Sequence, residues 1–309
     1  MAGYKLLKRL EIIIHLLDAF PHASKENLMN RLSNDYDIQL TNRTLERDFK
    51  ALETDFGIGL HYDAQKNGYI LDHRDRERVQ SFFKYVELVH LGELFKENLQ
   101  DFELLREKVI LEDSVQFKGI QHIKPLLLAI KQRKTIGFVY ENYTRETLKN
   151  YEICPLQIRE YANRWYVIGV PLGSDHIRTF GLDRINELSS KELISIKVED
   201  FELQLNKFHS IVGLNYNEAE KVECVLLAVT PKQYKYLHSL PLHHSQHLEK
   251  ERTDGRLELT YYVIPNYELK MQLLKMGPKI EVLQPSWLRE EIKTSLQLAL
   301  KQYNHEKDE

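Results

Sequence analysis

Arg159-Glu-Tyr-Ala-Asn-Arg-Trp-Tyr-Val-Ile-Gly169, running on through Pro171-Leu-Gly-Ser-Asp175 to Ile177-Arg-Thr-Phe-Gly-Leu-Asp-Arg184, is the stretch on which the reading of this chain turns. Trp165, one of only 2 tryptophans, stands beside Tyr161 and Tyr166, and arginines at 159, 164, 178 and 184 are threaded between aromatic residues. Flat rings offer stacking faces, and guanidinium groups offer fixed donor forks. Together they suit a polyanion that carries flat bases.

Working outward, alternation predicts a run of short strands. They cover Ile136 to Tyr140, Leu148 to Arg159 with an interruption at Pro155, Arg164 to Val170, and His176 to Gly181. Turn residues separate them at Glu141-Asn142, Ala162-Asn163 and Pro171 to Asp175. A helix from Ile120 to Lys134 precedes them, and Asp183-Arg184-Ile185 starts a short helical turn. Strands at this spacing predict a small, strongly bent barrel. Because successive strand residues point to opposite faces, Trp165 and Tyr166 cannot line one pocket, so one is expected in the core and the other exposed. Arg178, between Ile177 and Phe180, needs either an acid partner, with Asp183 the nearest candidate, or an anionic ligand.

Charge is distributed in a way that singles out the same block. The whole chain of 309 residues has a formal net charge of −3. Residues 1–72 carry 9 Lys and Arg against 11 Asp and Glu, and residues 73–117 carry 7 against 10. Residues 118–190 carry 11 against 7, a surplus of 4 positive charges, while the remainder is close to balance.

At the N-terminus, Leu6, Leu7, Leu10, Ile13, Ile14 and Leu17 recur at spacings of three and four, one face of an amphipathic helix that Pro21 ends. Ser24 is placed to cap a second helix carrying Leu28, Met29 and Leu32. Thr41 caps a third, Asn42 to about Phe56, with Leu45, Phe49 and Leu52 inward. That leaves Asn42, Arg43, Thr44, Arg47 and Lys50 outward. Strands at Ile58 to Tyr62 and Tyr69 to Leu71 flank a turn containing Lys66 and Asn67-Gly68, where Asn-Gly supplies a positive φ. Three helices and a hairpin in about 70 residues are the plan of a winged helix-turn-helix, whose third helix enters the major groove of a double-stranded DNA operator. Candidate DNA contacts are therefore Thr41, Asn42, Arg43, Thr44, Arg47, Lys50, Lys66 and Asn67. The alternative is that Arg43 and Lys50 are solvated and that Arg47 pairs with Asp48 or another local acid. An N-terminal domain with a net charge of −2 attracts a polyanion weakly, so tight binding calls for two copies.

Residues 73–117 alternate charges with Phe82, Phe83, Val86, Leu88, Leu91, Leu94 and others, more apolar surface than two short connecting helices need. They are expected to form a helical linker that also makes a dimer contact. From Val222 onward the pattern reads strand, helix, strand, strand, helix, strand, helix, with Pro231 and Ser286 as helix starts. That order predicts an α+β sandwich with helices on one face of an antiparallel sheet. Residues 196–214 carry no firm pattern and link or complete the barrel.

The combination of Phe-Val-Tyr140, Pro155, Arg164-Trp-Tyr-Val167, Arg178-Thr-Phe180 and Leu182-Asp-Arg-Ile185 resembles the WYL domain of bacterial transcriptional regulators. With the N-terminal winged helix and a C-terminal extension, the resemblance covers the whole chain, and Val167 replaces the Leu of the family's name. It implies an Sm-like small β-barrel that senses a nucleic-acid or nucleotide effector and alters operator binding by the winged helix. Carried over residue by residue, the resemblance falls on Tyr140, Trp165, Tyr166, Arg178, Phe180 and Arg184. Arg159, Arg164 and His176 widen that patch. The expected organisation is α+β multidomain. A winged helix-turn-helix spans 1–72, a helical linker 73–117, the WYL domain 118–205 and the C-terminal extension 215–309.

Little in the sequence points to catalysis. There is no Walker-type glycine loop, no Gly-x-Ser-x-Gly elbow and no Cys/His pair suited to nucleophilic chemistry. His243, His244 and His247 have no carboxylate or cysteine at helpful spacing and read as a solvated loop, so neither a metal nor another cofactor is expected. Cys154 and Cys224 lie in strand-like apolar runs and read as core residues. No run approaches the length of a membrane span, and a cytoplasmic location is expected. The expectation is a non-enzymatic homodimeric regulator. The alternative is a nucleic-acid-binding adaptor or accessory protein without promoter-specific regulation.

Overall fold

The computed structural model describes residues 2–98, 100, 118–142, 147–193, 197–216 and 220–303. The chain divides into two compact units, Met1–Leu111 and Glu112–Glu309.

In the first unit, helices α1 (Ala2–Ala19), α2 (Lys25–Tyr36) and α3 (Asn42–Phe56) precede a hairpin of β1 (Leu60–Asp63) and β2 (Gly68–Leu71). The caps fall where the sequence puts them. Ser24 Oγ accepts the Asn27 N–H, and Thr41 Oγ1 accepts the Thr44 N–H. Leu10, Ile13, Leu17, Leu28, Leu32, Leu45, Leu52 and Ile58 bury completely or nearly so in one core. The hairpin gains a third, minimal strand because Ala23 bridges Tyr69. Gly68 is required there, since a Cβ would lie 1.9 Å from the His22 carbonyl oxygen. The positive φ of the turn is supplied by Asn67, at +50°.

Residues 76–98 form one helix, α4 (Arg76–Asn98), in place of the first of two short ones. Residue 99 and residues 101–117 lie outside the described residues. Phe82 and Val86 of α4 are buried in the same core as α1 to α3. His15 stacks on Phe83 and Tyr4 on His90, so α4 runs antiparallel to α1. The start of α4 is also tied to the far end of α3. Asp75 accepts the Gly59 N–H at 2.7 Å and Arg78 at 2.6 Å, and Arg78 donates to the Gly57 carbonyl.

The second unit begins with a 3-10 turn, Ile120–His122, and α5 (Ile123–Gln132), one turn shorter than expected because Lys134 already belongs to a strand. Strands β3 (Lys134–Asn142), β4 (Thr147–Tyr161), β5 (Arg164–Pro171), β6 (Arg178–Gly181) and β7 (Ile185–Leu193) form one antiparallel sheet in the order β6-β5-β4-β3-β7. Pro155 does not break β4. A register shift between Pro155 and Gln157 absorbs it. The turn at Ala162-Asn163 has φ of +51° and +63°, the geometry of a tight hairpin. β7 is the strand that alternation does not reveal, because Glu187 at φ +53° and a register shift opposite Gly137/Val139 break its period.

The sheet must roll up. Four strand spacings laid flat would separate β6 from β7 by about 19 Å. Gly181 and Ile185 are joined by a single 3-10 turn, Leu182–Arg184, that spans at most about 14 Å. The expected bent barrel is thus an open sheet whose two edges are bridged by three residues.

A short helix, α6 (Glu202–Lys207), leads into a C-terminal domain of β8 (Glu223–Val229), α7 (Pro231–Ser239), β9 (His247–Glu251), β10 (Leu257–Val263), α8 (Tyr267–Met276), β11 (Ile280–Gln284) and α9 (Ser286–Tyr303). The strand order β11-β8-β10-β9 is the split βαβ arrangement. Leu237, Leu269, Leu273, Leu288 and Ile292 of the three helices pack on Val225, Leu227, Val229 and Val282, so the helices share one face of the sheet. On the other face, Glu258, Ala228 and Glu281 are cross-strand neighbours. Arg252 and Lys250 pair with Glu258, and Arg256 and Arg289 pair with Glu281.

Two sequence readings are corrected. Cys154 is buried, but Cys224 is exposed near the start of β8. His243 is buried rather than solvated. Its Nε2–H donates to the His209 carbonyl at 2.7 Å, and Nδ1 sits 2.7 Å from the Ser245 hydroxyl. No described helix is long and apolar enough to cross a membrane.

Candidate nucleic-acid interface

The first candidate surface is α3. Leu45 and Leu52 fix its inner face, which leaves Asn42, Arg43, Arg47 and Lys50 exposed on the outer one. Of the two acids that flank Arg47, Glu46 pairs with Lys25 at 2.6 Å, and Asp48 is fully buried and held by Arg9 through two hydrogen bonds of 2.5 and 2.8 Å. The hydrogen bond to Asp48 raises the Arg9 pKa against the opposing effect of burial. Asp48 therefore positions α3 against α1 and leaves Arg47 alone. Among the described residues neither Arg43, Arg47 nor Lys50 has an acid partner. Guanidinium groups one helical turn apart can reach a guanine edge or a phosphate from the same face.

The other residues proposed around α3 have local duties. Thr41 and Thr44 are joined through their hydroxyls at 3.0 Å as part of the cap. In the hairpin, Asn67 accepts from the Tyr62 hydroxyl, and Lys66 lies 3.1 Å from His22. They shape the wing, and the exposed turn presents Lys66 beside it.

The second surface is the five-stranded sheet, and here the candidate residues separate into three groups. Trp165 shares its face with Val167, packs at the edge of the core, and lines a groove of about 640 Å³ with Ile120, Ile123, Leu127 and Leu128 of the preceding helical segment. Tyr166 lies on the opposite face, opposite Arg159 on β4 and Gly181 on β6. Both rings are half-buried, so the expected split into one core and one exposed residue becomes a split between two faces.

A second group surrounds the 3-10 turn that closes the sheet. The buried Tyr140 hydroxyl accepts the Gly181 N–H at 3.1 Å, and the Arg184 guanidinium lies 4.9 Å from the Tyr140 ring centroid. Burial raises the Tyr140 pKa, and burial likewise raises that of Tyr166. Asp183, the acid expected for Arg178, is instead 3.8 Å from Arg164 and 4.0 Å from Arg184. One carboxylate thus serves two guanidinium groups, and the group holds the turn.

Arg178 and His176 make the third group. Together with Ile177 and Thr179 they line a cavity of about 640 Å³ whose other side is Phe208, Leu214, Asn215 and Tyr216. Arg178 is exposed and has no acid partner among the described residues. Arg159 is half-buried, its guanidinium 4.9 Å from the Phe208 ring centroid, and it too has no acid partner there. Burial depresses the Arg159 pKa, with no carboxylate to offset it. Phe208, Asn215 and Tyr216 carry no periodic signal that sequence reading could have used. No group of three or more His, Cys, Asp or Glu among the described residues is placed to hold a metal ion.

Comparisons with known proteins place family matches in the second unit. Residues 121–190 match the family described as WYL domain, and residues 220–300 match that described as WCX domain. No curated protein matches the chain. Among solved structures, the chain is similar to the proteasome accessory factor B/C (PafBC) of Arthrobacter aurescens, at 17% identity over 95% of this chain and a TM-score of 0.33. The match takes in 46% of that protein, so this chain spans about half its length. A structure titled as a CRISPR Cas-related protein matches at 16% identity over 99% of this chain and 87% of its own, with a TM-score of 0.41.

Proposed function

We propose that this chain, which carries a WYL domain at 121–190 followed by a WCX domain at 220–300, is a DNA-binding transcriptional regulator without enzymatic activity of its own. The observation that carries the reading is the outer face of α3. Among the described residues Arg43, Arg47 and Lys50 are exposed without acid partners on a winged-helix unit in which both acids flanking Arg47 are engaged elsewhere, Glu46 by Lys25 and Asp48 by Arg9. Such a helix reads base edges in the major groove, and the adjacent wing adds backbone contacts.

The regulator acts as a homodimer on a double-stranded operator. Residues 1–72 carry a net charge of −2 and attract DNA weakly on their own. In support of a second copy, α4 exposes Tyr85, Leu88 and Leu91 in addition to the side chains it packs on its own core. The WYL domain takes a single-stranded nucleic acid or a nucleotide as effector, in support of which Arg159 and Arg178 have no carboxylate partner among the described residues, Arg159 lying beside the Phe208 ring and Arg178 in the cavity that Phe208 also lines. The effector changes operator affinity only to the extent that it binds the two states of the protein differently.

The test is a gel shift with the DNA upstream of the protein's own gene. The parent is expected to retard it, and Arg43→Ala with Arg47→Ala to abolish the shift while the circular dichroism of the protein is unchanged. Equal retardation by both proteins would overturn the reading. A parent that fails to shift this DNA but retains a stable protein partner would favour an accessory role.

A further inference from the structure

The cavity beside β6 has a wall that neither domain match contains. The matched stretches end at 190 and resume at 220, and residues 198–216 fall between them. From this segment Phe208, Leu214, Asn215 and Tyr216 line one cavity with His176, Ile177, Arg178 and Thr179 of the sheet edge. Its volume of about 640 Å³ lies within the range of small-ligand sites.

The chemistry of the added wall is aromatic and cationic. Phe208 and Tyr216 meet edge to face, with centroids 5.3 Å apart and planes at 86°. The Arg159 guanidinium lies 4.9 Å from the Phe208 ring, and the Lys207 ammonium lies 5.5 Å from the Tyr216 ring. Arg178 lines the cavity itself from the sheet side, while Arg159 and Lys207 stand behind its two rings. Ring faces flanked by cations stack a heterocycle and neutralise the phosphate attached to it.

The same segment hangs on the WCX domain. Asn266, which caps α8, donates through Nδ2 to the carbonyls of Val212 and Asn215, both at 2.7 Å. The buried Glu268 carboxylate accepts through Oε1 from the backbone N–H groups of Leu214 and Asn215 and from the Asn215 side chain. Gly213 has φ +89°, and a Cβ there would lie 2.7 Å from Glu268, so the segment is fitted closely to this carboxylate. One side of the cavity thus belongs to the WYL sheet and the other to a segment fastened to α8.

We propose that this cavity binds a nucleoside phosphate, either free or as one unit of a single strand, with Arg178 on the phosphate and Tyr216 against the base. The ligand bridges the WYL sheet to a wall that the WCX domain holds, so that its occupancy bears directly on α8. The proposal rests on the effector reading above and adds to it the half of the site that lies outside the WYL match.

Fluorescence anisotropy of a short labelled oligo-dT on the full-length protein, with 5′-AMP as competitor, tests it. Tyr216→Leu is expected to weaken binding about 5- to 100-fold, the loss typical of removing one stacked base contact. Tyr216→Phe, which keeps the ring and loses the 2.9 Å hydrogen bond to the Gln204 carbonyl, is expected to bind like the parent. Unchanged binding by Tyr216→Leu, or equal losses in both variants, overturns the composite site. If in the same assay Arg178→Ala has lost binding, the effector reading survives that failure. A parent that binds neither probe removes the effector reading and the composite site together. Displacement by 5′-AMP identifies the free nucleotide as sufficient, and oligonucleotide binding without displacement identifies the strand.

Discussion

Two basic surfaces in the second unit differ in one respect that separates structure from function. On the face of the C-terminal sheet away from its helices, Lys250 and Arg252 meet Glu258, Arg256 meets Asp254 and Glu281, and Arg289 meets Glu281. On the WYL sheet, Arg159 and Arg178 meet no acid among the described residues, yet one of them is half-buried against a ring. Abundance of arginine is similar in the two places, so abundance carries no message. Pairing does, because a cation with no carboxylate in reach keeps its donors available to an anionic ligand. By that criterion α3 belongs with the WYL sheet, and its one buried acid, Asp48, shows how the criterion was met there.

If unpaired arginines mark the binding surfaces, removing the two on α3 should have the largest effect. Each base-edge or phosphate contact is worth roughly 1–3 kcal/mol, so Arg43→Ala with Arg47→Ala should lower operator affinity at least about 30-fold in a gel shift. A change of less than threefold would place DNA elsewhere. Asp48→Asn breaks the buried pair from the other side and strands Arg9, at a cost of about 3 kcal/mol in urea unfolding. A loss below about 1 kcal/mol would mean that Asp48 does not organise α3. Arg256→Ala, at the exposed end of the paired network, should lower the melting temperature only slightly and leave both binding activities unchanged.

The smallest effect concerns pH. Burial, first, together with the proximity of other histidines, depresses the folded-state pKa of His243 below 6.5, and the Ser245 N–H points at Nδ1, the atom that would take the proton. The unfolded chain then binds a proton that the folded chain does not. Stability is full above about pH 6.5 and falls as the pH drops toward the depressed folded value. His243→Gln should flatten the unfolding free energy between pH 7 and about pH 5. An unchanged slope would show that other groups set it.

Much of the architecture was legible because its signals are local. Ser24, Thr41 and Pro231 mark helix starts within a few residues of where they act. The order of elements in the C-terminal domain followed from period alone. What stayed hidden depends on contacts far apart in sequence. β7 lost its alternation to the positive φ of Glu187, which only its pairing with β3 explains. The segment around Phe208 and Tyr216 is shaped by Asn266 and Glu268, more than 50 residues away, and Glu268 looks in sequence like an ordinary first-turn acid of α8. The candidate effector residues were legible as types but not as a site. Strand alternation takes Trp165 to the face opposite Tyr166, and Asp183 is engaged by Arg164 and Arg184 rather than by Arg178.

The contrast between paired and unpaired arginines is tested most directly by titrating Arg178→Ala and Arg256→Ala side by side with labelled oligo-dT over a range of salt concentrations. The predicted result is that Arg178→Ala binds about tenfold more weakly with a shallower salt dependence, as loss of one phosphate contact requires, while Arg256→Ala follows the parent. Equal weakening of the two, or none in Arg178→Ala, would contradict the account.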